Sequence, residues 1–219
     1  MKAFLKFVLI PALAGSCFAA TISTGSASWI VQQNSGLSND GAILGTPTPA
    51  VLLTGTLPTA WVSAPGGSAW VGQLATDGNL STGNCEPLTS YCGAKPGEYV
   101  YTLTIGSVGG VINFLNFTSD NSIKLDISDS NGLLQTLSSP DDTPFGALIS
   151  GPTGLSFAGT LQIVATVMNS ELGTPAPQGS RNPSGFLLSG DVTEAPEPST
   201  YLMFGIGSAA LFIARRRRN

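Results

Sequence analysis

Apolar residues recur at every second position in several short stretches of this chain. In GEYVYTLTIG, residues 97–106, Tyr99, Tyr101, Leu103 and Ile105 fall on one face, with Val100, Thr102 and Thr104 on the other. SIKLDIS sets Ile123, Leu125 and Ile127 against Lys124 and Asp126, and TLQIVATVMN aligns Leu161, Ile163, Ala165 and Val167. SWIVQQ and GFLLSGDV supply two further strands, and SNG at 130–132 and APGG at 64–67 mark turns between such runs. Period-two alternation with frequent turn residues predicts antiparallel β structure. No window between the chain ends has the 3.6-residue period of an amphipathic helix, and no fixed-period repeat suggests a propeller or solenoid. The expected fold is all-β, an antiparallel β-sandwich, with the jelly roll as one of its forms. One domain is predicted over 28–192, preceded by an arm at 20–27. A long loop at 171–185 precedes the last strand, and a proline-stiffened linker at 193–200 follows it.

The two ends break this pattern. MKAFLKFVLIPALAGSCFAA carries Lys2 and Lys6, an apolar run from Phe7 to Leu13, and small residues around Ala19. This is the layout of a secretory signal peptide, residues 1–19, cut between Ala19 and Ala20 and implying export through the Sec pathway. Lipid attachment at Cys17 is the alternative, opposed by Ala14 standing where a large aliphatic residue is expected. At the other end, 14 residues from Tyr201 to Ala214 are apolar or small and run into Arg215, Arg216, Arg217 and Arg218. As a helix this stretch spans about 21 Å, against a hydrocarbon core of about 30 Å. It predicts a marginal, transient transmembrane helix in the inner membrane. Ser199 and Thr200 lengthen it, and the arginines of the 215–219 tail stay cytoplasmic.

Between these ends the charge balance is lopsided. Thirteen acids face Lys95, Lys124 and Arg181 alone, a net charge of about −10. Such a domain has no basic surface for nucleic acid. The chain contains no histidine, which removes Ser-His-Asp and Cys-His catalysis and His-ligated zinc. The exported part keeps two cysteines, Cys85 and Cys92, in CEPLTSYC. A close pair in an oxidising compartment points to a disulfide, which stabilises by roughly 2–3 kcal/mol on the chain-entropy account.

The order Pro196-Glu197-Pro198, Ser199-Thr200, short apolar helix and basic cluster resembles the PEP-CTERM sorting signal of Gram-negative bacteria. The resemblance implies an exosortase partner, an integral-membrane cysteine peptidase that cuts near the PEP motif and passes the domain to the outside. It also implies a setting of exopolysaccharide production and biofilm formation. Upstream, Trp29-Ile30, PGEYVY, SDNSIKLDI and NPSGFLLSG resemble galactose-binding-like β-sandwiches, which implies a carbohydrate or matrix contact.

Three sets of side chains are candidate sites. Trp29, Trp61 and Trp70 offer indoles that stack on sugar rings, or that fill the core. Asp120, Asn121 and Asp126, with Asp129 and Asn131 nearby, offer oxygen ligands for a structural calcium ion, or side chains that hold turns. Asp141 and Asp142 are adjacent and nominate no glycosidase pair facing one cleft. The sequons at Asn79 and Asn116 are incidental in a bacterium. The expected role is non-enzymatic: a structural or adhesive surface or matrix protein. A carbohydrate-binding module is the alternative, and a histidine-independent hydrolase a third. Thiol labelling of the exported protein tests the cysteine pair: Cys85 and Cys92 label only after reduction, and labelling of the native protein refutes the bridge.

Overall fold

The computed structural model describes residues 18–26, 28–36, 43–78, 93–139, 144–170, 182–195 and 198–217. In chain order the strands are β1 (Phe18–Ser23), β2 (Ile30–Gly36), β3 (Thr48–Pro49), β4 (Val51–Leu52), β5 (Val71–Gly72) and β6 (Gly97–Ile105). There follow β7 (Gly109–Asp120), β8 (Ser122–Asp129), β9 (Gly132–Ser138), β10 (Ile149–Ser150), β11 (Leu155–Ala158), β12 (Leu161–Asn169) and β13 (Gly185–Glu194). A C-terminal helix, α1 (Pro198–Arg217), completes the described chain.

The alternating stretches form the middle of one sheet. β12 pairs along its whole length with β6 on one side, Leu161 opposite Ile105, and with β8 on the other, Ile163 opposite Ile127. The full order is β3-β2-β6-β12-β8-β9. Because side chains alternate across a strand, this register lines up Tyr99, Tyr101, Leu125, Ile127, Ile163 and Ala165 on one face, where all are buried. The second sheet runs β10-β7-β13-β5-β4, with β1 added on β13 and β11 on β7. Its inward residues, among them Ile112, Leu115, Phe117, Phe186, Leu188 and Val192, meet the first sheet in a single apolar core. All of these pairings are antiparallel, and the fold is the expected sandwich.

The longest strand, β7, is absent from the sequence reading, and its register explains why. Asp191 faces Phe114 and Val192 faces Ile112, so Asn113 is an extra residue in the ladder. This bulge interrupts the two-residue period in GGVINFLNFTSD. The Asn113 amide is held by Asp191 Oδ2 at 2.7 Å and Thr193 Oγ1 at 2.8 Å. Asn34 in β2 and Leu134 in β9 are skipped in the same way.

Two expected boundaries move. The segment 20–27 is no free arm: β1 pairs with β13 from Phe18 opposite Glu194 to Ser23 opposite Ser189. Ile22 is buried in the main core, Thr24 N–H bonds Leu188 O, and Trp29 Nε1 donates to Ser23 O, so the sandwich begins before Ser28. The linker assigned to 193–200 is shorter. Thr193 and Glu194 belong to β13, Ala195 N–H still bonds Gly109 O, and α1 starts at Pro198. Proline suits the first helical turn, where its missing N–H has no intrahelical partner to lose. The helix extends three residues beyond each end of the expected 201–214 span, for a length of about 30 Å. Among the described residues no helix is long and apolar enough to cross a membrane. The side chains of 205–216, including Arg215 and Arg216, are exposed.

Ile22→Ala tests the place of β1. Removing a fully buried aliphatic side chain costs about 2–5 kcal/mol, so urea denaturation is expected to show a lower midpoint with an unchanged slope. A loss below 0.5 kcal/mol or so would return the segment to the solvent.

Candidate functional site

Beside the main core lies a second apolar cluster, on the far side of β13. Its buried members are Trp61, Trp70 and Leu187, with Leu53, Leu57, Val62, Phe145 and Leu148 packed around them. The two tryptophans come from the repeated tripeptide Ala-Trp-Val at 60–62 and 69–71, and their ring centroids lie 4.2 Å apart with planes tilted by 33°. Trp70 Nε1 donates to Val62 O at 3.1 Å, which ties one tripeptide to the other. An open groove of about 400 Å³ runs over this pair, walled by Leu57, Pro58 and Ala64 and carrying the hydroxyl-bearing Ser63 and Ser68.

The floor of the cluster is polar. Trp61 Nε1 donates to Asp120 Oδ2 at 2.9 Å, at the end of β7, and Asn121 Nδ2 donates to Asp120 Oδ1 at 2.6 Å. Asn121 Oδ1 in turn accepts Ser170 N–H at 2.8 Å and Asn182 Nδ2 at 3.1 Å, and Ser184 Oγ donates to the Asp120 carbonyl at 3.1 Å. This network joins the β7–β8 turn to the end of β12 and the approach to β13. Burial pushes the Asp120 carboxyl up to about 7; the indole hydrogen bond opposes the shift without cancelling it.

The structure separates the residues that the sequence groups together. Trp29 sits in the main core, its ring edge-on to Phe186 at 5.1 Å, and is not among the residues that line the groove. The three tryptophans therefore form no common platform. Trp61 and Trp70 are 8% and 5% exposed, so little of either ring is open to the groove. Asp120 and Asn121 are together, while Asp126 lies on the solvent face of β8, bonded to Lys124 Nζ at 2.6 Å and Thr136 Oγ1 at 2.5 Å. Asp129 holds a turn: it accepts Asn131 N–H at 2.7 Å and Ala158 N–H at 2.8 Å, which keeps its carboxyl below the usual range. Among the described residues no group of three or more His, Cys, Asp or Glu side chains converges as a metal site. Cys85, Cys92, Asn79, Asp141, Asp142, Pro196, Glu197 and Arg218 lie outside the described residues. Of the sorting residues, Pro198, Ser199 and Thr200 open α1, which closes on Arg217. The groove walls and the Ser184–Asn182 contribution to the Asp120 network had no signal in sequence beyond the repeated Ala-Trp-Val.

The PEP-CTERM protein-sorting motif matches residues 194–218, from the last residue of β13 through the arginine cluster. The chain thus carries an exosortase-type sorting signal at the position expected from its own residues. No curated protein matches the chain. A solved structure of TmCBM61 in complex with beta-1,4-galactotriose is similar over 47% of this chain and 66% of that one, with 12% identity and a TM-score of 0.31. The similarity spans just under two thirds of that structure's length.

Asp120 gives the domain a pH dependence whose sign follows from its shift. The folded state holds the proton more tightly than the unfolded chain, where the carboxyl returns to 3.8. Its stabilising contribution is therefore complete below 3.8 and lost as pH rises through about 7. Between pH 8 and pH 5.5 the melting temperature is expected to climb on acidification, before exposed carboxylates such as Asp129 titrate. Asp120→Asn is expected to flatten that slope, and a slope unchanged in the variant contradicts the assignment.

Proposed function

We propose that this is an exported surface or matrix protein whose β-sandwich is delivered by an exosortase acting at the C-terminal sorting signal. The observation that carries the reading is the sorting motif joined directly to the last strand of a folded domain. Only Ala195, Pro196 and Glu197 separate β13 from α1. In this reading the signal peptide starts export, α1 and its arginines hold the chain at the inner membrane, and cleavage near Pro196–Pro198 releases the sandwich. The domain's role is structural or adhesive. The absence of histidine from the chain favours this over an enzyme.

A carbohydrate-binding role is the second reading, favoured by the open groove over Trp61 and Trp70 with its two serine hydroxyls. Aromatic walls with a few hydroxyl partners suit the apolar faces and polar rims of sugars.

Intact mass of the exported protein decides the first reading. Cells with an active exosortase are expected to yield a chain that begins at Ala20 and lacks α1 and its arginines. Cells without it are expected to retain the full C-terminus in the membrane fraction. A cytosolic chain with both ends intact refutes the sorting reading. For the second, exopolysaccharide titrated into the exported protein is expected to change tryptophan emission, and Trp70→Ala to abolish the response. A flat titration dismisses it.

A further inference from the structure

The first sheet ends at β9, which pairs with β8 and with no other strand among the described residues. Ser139 N–H bonds Ile123 O at 2.9 Å, so the pairs of the same parity, Leu137 with Leu125 and Gln135 with Ile127, exchange the ladder bonds. Thr136 and Ser138 therefore direct their backbone N–H and C=O away from β8, into the open edge. The hairpin that carries this edge is fixed. At its turn Asp129 Oδ2 accepts Ala158 N–H at 2.8 Å, Ser130 N–H reaches Ala158 O at 3.2 Å, and Ser130 Oγ accepts Thr160 N–H at 2.9 Å.

Edge strands are usually kept from pairing by charge, proline or shortness. Elsewhere in the sandwich these devices are present. β3, β4 and β10 have two residues each, β3 contains Pro49, and β11 is tied to the β8–β9 turn. β1 drops to four residues on cleavage after Ala19. β9 has none of them: its seven residues, GLLQTLS, include no charge and no proline, and Leu133 is 65% exposed.

We infer that β9 is a self-association edge, which pairs antiparallel with β9 of a second copy of this chain and joins the two six-stranded sheets into one. Charge selects the occupant. A domain with thirteen acids and three bases carries a net negative charge that repels its own copies. The edge at β9 is neutral, and the neighbouring Lys124 and Asp126 on β8 neutralise each other. Antiparallel pairing centred on Thr136 is also self-complementary: Thr136 meets its own copy, Leu134 meets Ser138, and none of the seven residues of β9 carries a charge. The contact is isologous and closes as a dimer. An edge of seven residues is about 23 Å long, short of a standard interface, so the dimer is weak and favoured where copies are concentrated on a surface. The inference goes beyond the sorting reading and stands without it.

Sedimentation velocity of the exported protein from about 1 µM to about 1 mM tests this edge. A concentration-dependent dimer is expected. Thr136→Pro removes an N–H that faces away from β8, so the sheet tolerates it while the symmetric dimer loses two bonds, one from each copy. Ser138→Lys sets a charged side chain against Leu134 of the second copy, where the pairing is apolar and neutral, and leaves the Thr136–Asp126 bond in place. Each variant is expected to raise the dimer Kd at least about tenfold with the monomer still folded by circular dichroism, whereas Leu52→Lys, on β4 of the other sheet, leaves the dimer intact. A monomer throughout the range, a dimer indifferent to both β9 changes, or cross-linking of β9 to a foreign strand overturns the inference.

Discussion

Phe186 and Leu188 point from β13 into the main core, Leu187 points from the same strand into the tryptophan cluster, and all three are fully buried. This burial on both faces is the constraint around which the sandwich is organised. A strand with apolar layers above and below must sit inside its sheet, and β13 does, with β7 along one side and β1 and β5 along the other. It is also the last strand of the chain. The sheet that contains it cannot close until residue 194 is in place, whatever has folded before.

That position ties the domain to the sorting signal. The partner of β13 at its far end is β1, whose second and third residues flank the expected signal-peptide cut, and β13 itself ends where the sorting motif starts. Both terminal segments therefore leave the domain from one end of one strand pair. The removal of either hydrophobic end trims the sheet only at that edge and leaves the shared core untouched. The opposite end carries the Asp120 network, so the tryptophan groove and its buried carboxyl are separated from the two chain ends by the length of β13.

Asp120 shows a local compromise. A carboxyl placed under an indole satisfies the Trp61 N–H and anchors the β7–β8 turn through Asn121. The same burial makes its charged form costly, and no cationic side chain among its hydrogen-bond partners offsets that cost. The network stays polar because Asn121, Asn182 and Ser184 each complete another element's backbone or side-chain bonds.

The sequence by itself determined the elements whose information is local. Strict alternation in β6, β8 and β12 named both the strands and their buried faces, because a two-residue period leaves one choice once a face is apolar. The sorting signal was legible for a similar reason: a peptidase and a bilayer read it as a linear order of prolines, apolar residues and arginines. Tertiary structure decided what depends on partners distant in the chain. Bulges at Asn34, Asn113 and Leu134 break the period and are defined only against the opposite strand. The strand status of β1 comes from β13, about 170 residues later. Trp29 diverged from Trp61 and Trp70 because an indole's surroundings are set by packing, and composition alone carries no record of which layer it fills.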